Sequence, residues 1–260
     1  MLDPIINIFL NIMIWISQAI ESIGIEQSFG WTIILFTILI RLALYPFTAS
    51  QVKSAQGLQE MQNSEKWQKI QKKYKDDKEK LAQEQMKLYQ EMGINPLGSC
   101  LPTLLQLPII FALYWAVTQA LASTPVQLLD LARVINDGLS HVLPLNSTFL
   151  WMDLAQPERL HLAFLPENFG IPVLAILVTV TSFLQTKLMT PTTSQPGDQG
   201  AAMTKAMSLY MPLLIGWISY SYAAGLALYF FIGNIASILQ YALMGRLDLK
   251  NLLPSAKTAK

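Results

Sequence analysis

Arg41 is the residue whose type and place ask most of chemistry. It stands in an otherwise apolar run, about residues 30 to 47. A charge inside a membrane span costs roughly 2.5–3.5 kcal/mol on insertion scales, and its usual remedy is a buried carboxylate. No Asp or Glu falls in any of the apolar runs described below. Arg41 must therefore meet water, lipid headgroups, backbone carbonyls or an acidic group brought from elsewhere. Thr37, Arg41, Tyr45 and Thr48 recur at i, i+4, i+8 and i+11, a polar stripe along one helix face. Gln106, Gln119, Gln185, Ser219, Asn234, Ser237 and Gln240 add uncharged polar groups in the other runs, and together these could line a hydrated groove. The bland alternative is an arginine that snorkels to nearby headgroups. Alanine at 41 separates the two, because it abolishes activity only if a groove needs the charge.

Other chemistry is sparse. A membrane enzyme needs nucleophiles, acid/base pairs or metal ligands that converge. His141 and His161 stand in one loop with no His or Cys beside them. Cys100 is alone, so it forms no intramolecular bridge and reads as a packing residue. There is no G-x-S-x-G, H-E-x-x-H or Walker sequence. The chain is therefore not expected to be an enzyme, and neither a cofactor nor a metal is expected.

The elements that must position Arg41 follow from composition. Lys, Arg, Asp and Glu make up 13% of 260 residues, about half the roughly 25% of a soluble domain, and hydrophobic residues reach 52%. Sixteen of the 35 charges, nine of them Lys, lie between Gln51 and Met92, leaving 19 for the other 218 residues. That excludes a single soluble globule and a disordered chain. A net charge of +1 gives no case for direct nucleic-acid binding.

A membrane helix needs about 20 mainly apolar residues. Residues 98–122, 170–189, 206–221 and 224–244 supply four such runs, and 29–50 supplies a fifth, interrupted by Arg41. The charge-free stretch from Ala206 to Gly245 is long enough for two helices, turning near Ser221-Tyr222-Ala223-Ala224-Gly225. Residues 1–28 differ: Asp3, Asn7, Asn11, Gln18 and Glu21 form one stripe, with Ile6, Phe9, Met13 and Ile16 elsewhere. This pattern predicts an amphipathic helix in the interface plane, with a sixth span as the alternative. The expected fold is an all-α membrane protein: a five-transmembrane-helix bundle, an N-terminal interfacial helix, and a cytoplasmic helical hairpin over 51–97.

The hairpin should turn near Lys75-Asp76-Asp77, with Leu58, Met61, Trp67, Ile70 and Tyr74 facing Leu81, Leu88 and Met92. Its charges form either a solvated face or a docking arm, and mixed charge serves both. The loop over 123–169 is expected to hold a short helix around Val126 to Val142 and to place Trp151 at the interface. Lys and Arg number none in residues 1–29, nine in 51–92, two in the 123–170 loop, two in 187–205 and four after Gly245. The positive-inside rule then puts the N-terminus and the 123–169 loop outside, with the hairpin, the 190–205 loop and the 245–260 tail in the cytoplasm.

Several stretches carry a resemblance. They are Arg41-Leu42-Ala43-Leu44-Tyr45-Pro46-Phe47-Thr48, the Lys-rich hairpin, and Gly93-Ile94-Asn95-Pro96-Leu97-Gly98-Ser99-Cys100-Leu101-Pro102 running on to Gln106-Leu107-Pro108. Phe149-Leu150-Trp151-Met152-Asp153-Leu154 and Gly225-Leu226-Ala227-Leu228-Tyr229 with Asn234 and Gln240 complete the set. In order and spacing the chain after residue 20 resembles the YidC/Oxa1/Alb3 membrane protein insertases. The resemblance implies a hydrophilic groove open to cytoplasm and lipid but closed towards the outside. It implies that Arg41 attracts the acidic outer segment of a nascent membrane protein, with Thr37 beside it, and that Tyr229 and Phe230 contact the client's transmembrane segment.

Nascent membrane proteins and membrane lipids are then the expected partners, with the Sec translocon, ribosome and targeting factors reached through the 51–92 hairpin. A bacterial plasma membrane is favoured over a thylakoid, since no transit-like N-terminus is present. Two departures stand out. Ala223-Ala224-Gly225 replaces the Pro-containing turn common in the last hairpin, and the tail is shorter and less basic than in ribosome-docking members. The main rival is a small-anion transporter using Arg41 as its binding site, although no internal repeat of the kind transporters show is evident.

Overall fold

The computed structural model describes residues 3–74, 77–93, 101–121, 145–161, 170–189 and 199–245. Among these the helices are α1 (Asp3–Ser22), α2 (Ser28–Ala43), α3 (Tyr45–Asn63), α4 (Glu65–Lys73), α5 (Lys78–Glu91), α6 (Leu101–Ala120), α7 (Val173–Met189), α8 (Gln199–Ser221) and α9 (Ala224–Leu243). The strands β1 (Thr148–Phe149) and β2 (Met152–Asp153) pair antiparallel. The expected helix around Val126 to Val142, Cys100, His141 and the tail lie outside the described residues.

α1 and α2 run antiparallel. Ser17 and Ser28 share a hydrogen bond of 3.0 Å near the connecting turn, and Phe9 meets Phe36 edge-on further along both helices, with centroids 5.2 Å apart. Leu10, Met13 and Ile14 of α1 are fully buried in the common core with Phe29, Ile33, Leu113 and Val117. The outward face of α1 carries exposed Ile5, Ile8, Ile12 and Trp15. Asn7 and Asn11 sit at the edge of the core, with the Asn11 amide donating to the Asn7 carbonyl at 2.8 Å.

By length and composition, Pro4–Ser22 and Ala224–Leu243 are each apolar enough to cross a membrane. Ser28–Ala43 and Tyr45–Ser54 qualify only together, bent by 55°. The bend has a local cause. Pro46, at the start of α3, has no N–H to give the Leu42 carbonyl one turn back, so the helix that the sequence suggested over 29–50 breaks at Leu44. α8, by contrast, begins at Gln199, inside the expected 190–205 loop.

The first arm of the hairpin is itself broken at Ser64, whose hydroxyl accepts from the Trp67 N–H at 3.2 Å and so caps α4. Asp77 caps α5 in the same way, accepting from the Lys80 N–H at 3.1 Å. Met61, Trp67 and Leu88 are buried together, with Ile70, Leu81 and Tyr89 around them. Met92 is exposed, and the Leu58 side chain lies outside the described ones.

At the Ser28 end of the bundle, residues 145–160 form a strap. Its carbonyls at Leu154 and Gln156 accept the first free N–H groups of α9, from Gly225 at 3.0 Å and Ala224 at 2.8 Å. Glu158, only 5% exposed, receives the Trp151 indole N–H at 2.9 Å and the Leu174 N–H of α7 at 3.1 Å. Phe149 lies against Gly30 so closely that a Cβ there would fall within its ring. One segment thus ties the ends of α2, α7 and α9 together.

Candidate functional site

Arg41 sits in the last turn of α2, where the unpaired carbonyls favour a cation. Helical side chains lean back towards the N-terminus, so Arg41 reaches into the bundle and away from the helix end. Its guanidinium rests on Gly233: a Cβ at that position would stand 3.0 Å from Nη2. Gly233 is midway along α9. Tyr229, one turn earlier on α9, is within electrostatic range of the guanidinium. Among the described residues no carboxylate lies within 4 Å of it, and the ion pairs lie in the hairpin.

The backbone of Arg41 is held as well. Gln240 Nε2, on α9, donates to the Arg41 carbonyl at 3.0 Å. Gln240 is buried, and its Oε1 has no hydrogen-bond partner among the described residues. Asn234 points the other way on α9, its amide donating to Ser182 Oγ at 2.8 Å, Thr181 Oγ1 at 3.1 Å and the Val178 carbonyl at 3.4 Å, all on α7. α9 therefore bridges the helix that carries Arg41 and a polar patch on α7.

The other candidates divide. Thr37 is fully buried and its hydroxyl bonds to the Ile33 carbonyl one turn back, so it lines no open surface. Thr48 is partly buried and bonds to the Leu44 carbonyl in the same way. Tyr45 is exposed beyond the bend, and Gln185 is partly buried on α7. Gln106 belongs to α6, but its side chain lies outside the described ones. Tyr229 is buried in the core, and Phe230 packs beside it with ring centroids 5.7 Å apart. Among the described residues no group of His, Cys, Asp and Glu could hold a metal ion.

Known proteins resemble this chain over most of its length. Residues 20–251 match the family described as 60Kd inner membrane protein. The chain is 35% identical to a membrane protein insertase YidC of Clostridium perfringens, over 100% of this chain and 94% of the relative. The chain belongs to the YidC/Oxa1/Alb3 family. A YidC of Clostridium tetani is likewise 35% identical, over 96% of this chain and 95% of its own length. The family reaches beyond bacteria: an inner membrane ALBINO3-like protein 2, chloroplastic, of Chlamydomonas reinhardtii is 31% identical over 91% of this chain and 54% of its own length.

Sequence reasoning passed over two residues in this YidC/Oxa1/Alb3 chain. Gly233 carried a usable signal, since a glycine inside a helix marks a close approach. Glu158 looked like an ordinary loop acid, and nothing local in the sequence foretold its contact with the start of α7.

Proposed function

We propose that this chain is a membrane protein insertase, in which Arg41 receives the acidic outer segment of a newly made membrane protein. The observation that carries the reading is the guanidinium resting on Gly233 at mid-helix depth, with no carboxylate beside it among the described residues. A cation at that depth is costly unless water or an acidic group meets it. A client's acidic tail supplies that group for the time it passes.

The five apolar helices α2 with the start of α3, α6, α7, α8 and α9 form the membrane bundle. α1 lies along it with its apolar face to lipid, and α4 and α5 form the cytoplasmic arm. The strap end, poor in Lys and Arg, faces outside, and the Arg41 end faces the cytoplasm. Phe149, Met152 and Leu154, buried at the outer end, support closure towards the outside. Clients enter from the cytoplasm, the polar tail pauses at Arg41, and the apolar span moves into lipid. Burying about 20 apolar residues drives that transfer without a nucleotide. Because Arg41 is partly open to its surroundings, its attraction stays weak enough for release. The arm is the surface offered to the ribosome, targeting factors or the Sec translocon, and a bacterial plasma membrane is the setting.

The test is reconstitution in liposomes with a single-span client bearing an acidic outer tail. Insertion that fails with Arg41→Ala supports the reading. Saturable uptake of a small anion without insertion would favour a transporter instead.

A further inference from the structure

We infer that Gln240 is a positioning residue that sets Arg41 for its client, acting through the Arg41 backbone and not by lining the groove. The inference rests on the insertase reading of Arg41.

α2 ends at Ala43 and the chain bends by 55° into α3, so the turn that carries Arg41 is not braced by a continuing straight helix. Pro46 removes one N–H that would have held this turn. The carbonyls of a last helical turn need donors from elsewhere. Gln240 Nε2 supplies one to the Arg41 carbonyl, across 199 residues of sequence. The amide orientation is fixed by this contact, because a flipped amide would set Oε1 against a carbonyl oxygen.

α9 also shapes the other end of the same residue. Gly233 leaves the notch in which the guanidinium rests. Ser237, between Gly233 and Gln240, turns its hydroxyl to the Gly233 carbonyl at 2.8 Å and does not compete for Arg41. One face of α9 thus fixes both backbone and head group of Arg41, and the charge is aimed instead of free to swing to the headgroups. The buried Oε1 of Gln240 has no hydrogen-bond donor among the described residues.

The test uses the full chain in liposomes with two clients that differ only in an acidic or a neutral outer tail. Gln240→Met keeps length and removes the donor. It is expected to lower insertion of the acidic-tail client about tenfold, the scale of one buried hydrogen bond, and to leave the neutral-tail client unchanged. In an Arg41→Ala background it should add nothing. Gly233→Leu, which fills the notch and spares the Gln240 contact, should give the same client-selective loss. Equal loss for both clients, or a loss that adds to that of Arg41→Ala, would overturn the assignment, since either marks a purely structural role. If Arg41→Ala fails with the acidic client while Gln240→Met and Gly233→Leu do not, only the positioning role falls. If Arg41→Ala inserts that client normally, the insertase reading of Arg41 falls and this inference with it.

Discussion

The Trp151 indole donates to Glu158 at 2.9 Å, and the other oxygen of that carboxylate accepts from the Leu174 N–H at the start of α7 at 3.1 Å. A loop acid, nearly buried, therefore holds a loop aromatic and a helix end at once. Removing it strands two donors, each worth about 1–3 kcal/mol when left unmet in a buried place. Glu158→Leu should lower the thermal unfolding temperature in detergent. Glu158→Gln, which retains one acceptor, should lower it by clearly less.

At the same end, the Phe149 ring fills the space that a side chain at position 30 would need. Gly30→Val should displace the Phe149 ring and loosen the strap, at a cost of about 1–3 kcal/mol typical of overpacking. Adding Phe149→Ala should recover part of that loss, because the two residues are in contact and their effects are coupled. A double-mutant cycle on unfolding temperature measures the recovery.

The arm has a core of its own, separate from the bundle. Trp67→Ala should cost about 3–5 kcal/mol, more than so small a core can spare. Limited proteolysis should then cut within residues 51–92 while the bundle stays protected. Lys87→Ala should do little, since its pair with Glu84 is exposed to solvent.

Acid should act on the arm through Asp77. Its contacts with the Lys80 backbone and side chain hold the carboxyl below its usual value. A carboxyl depressed on folding stabilises above its unfolded value, about 3.9, and that contribution is lost as pH falls towards the folded value. Helicity of the arm, followed by circular dichroism, should therefore decline below about pH 4. Asp77→Asn, which keeps a capping oxygen, should remove that part of the decline.

The helical character and the odd arginine were legible in the sequence because both depend on local composition: long charge-free runs, and one charge inside a run. What was not legible depends on meetings between distant residues. Thr37 reads as a groove-lining polar residue, yet a threonine on a helix can satisfy itself on the preceding turn, and this one does. Gln240 reads as one polar residue among several, and its bond to the Arg41 carbonyl exists only once α9 lies beside α2. The break at Leu44 was foreshadowed by Pro46, but the apolar run across it suggested one straight span. In α1, Asn7 and Asn11 lie at the core's edge, a placement that comes from packing against α2 and α6 and that no local pattern encodes.

The central claim is that the charge at position 41 pairs with the charge of the client. The direct measurement is charge reversal: insertion into liposomes by the wild type and by Arg41→Glu, each offered one client with an acidic outer tail and one with a lysine-bearing tail. The account predicts that Arg41→Glu loses the acidic-tail client and gains the lysine-tail client relative to wild type. Equal handling of both clients by both proteins would contradict it.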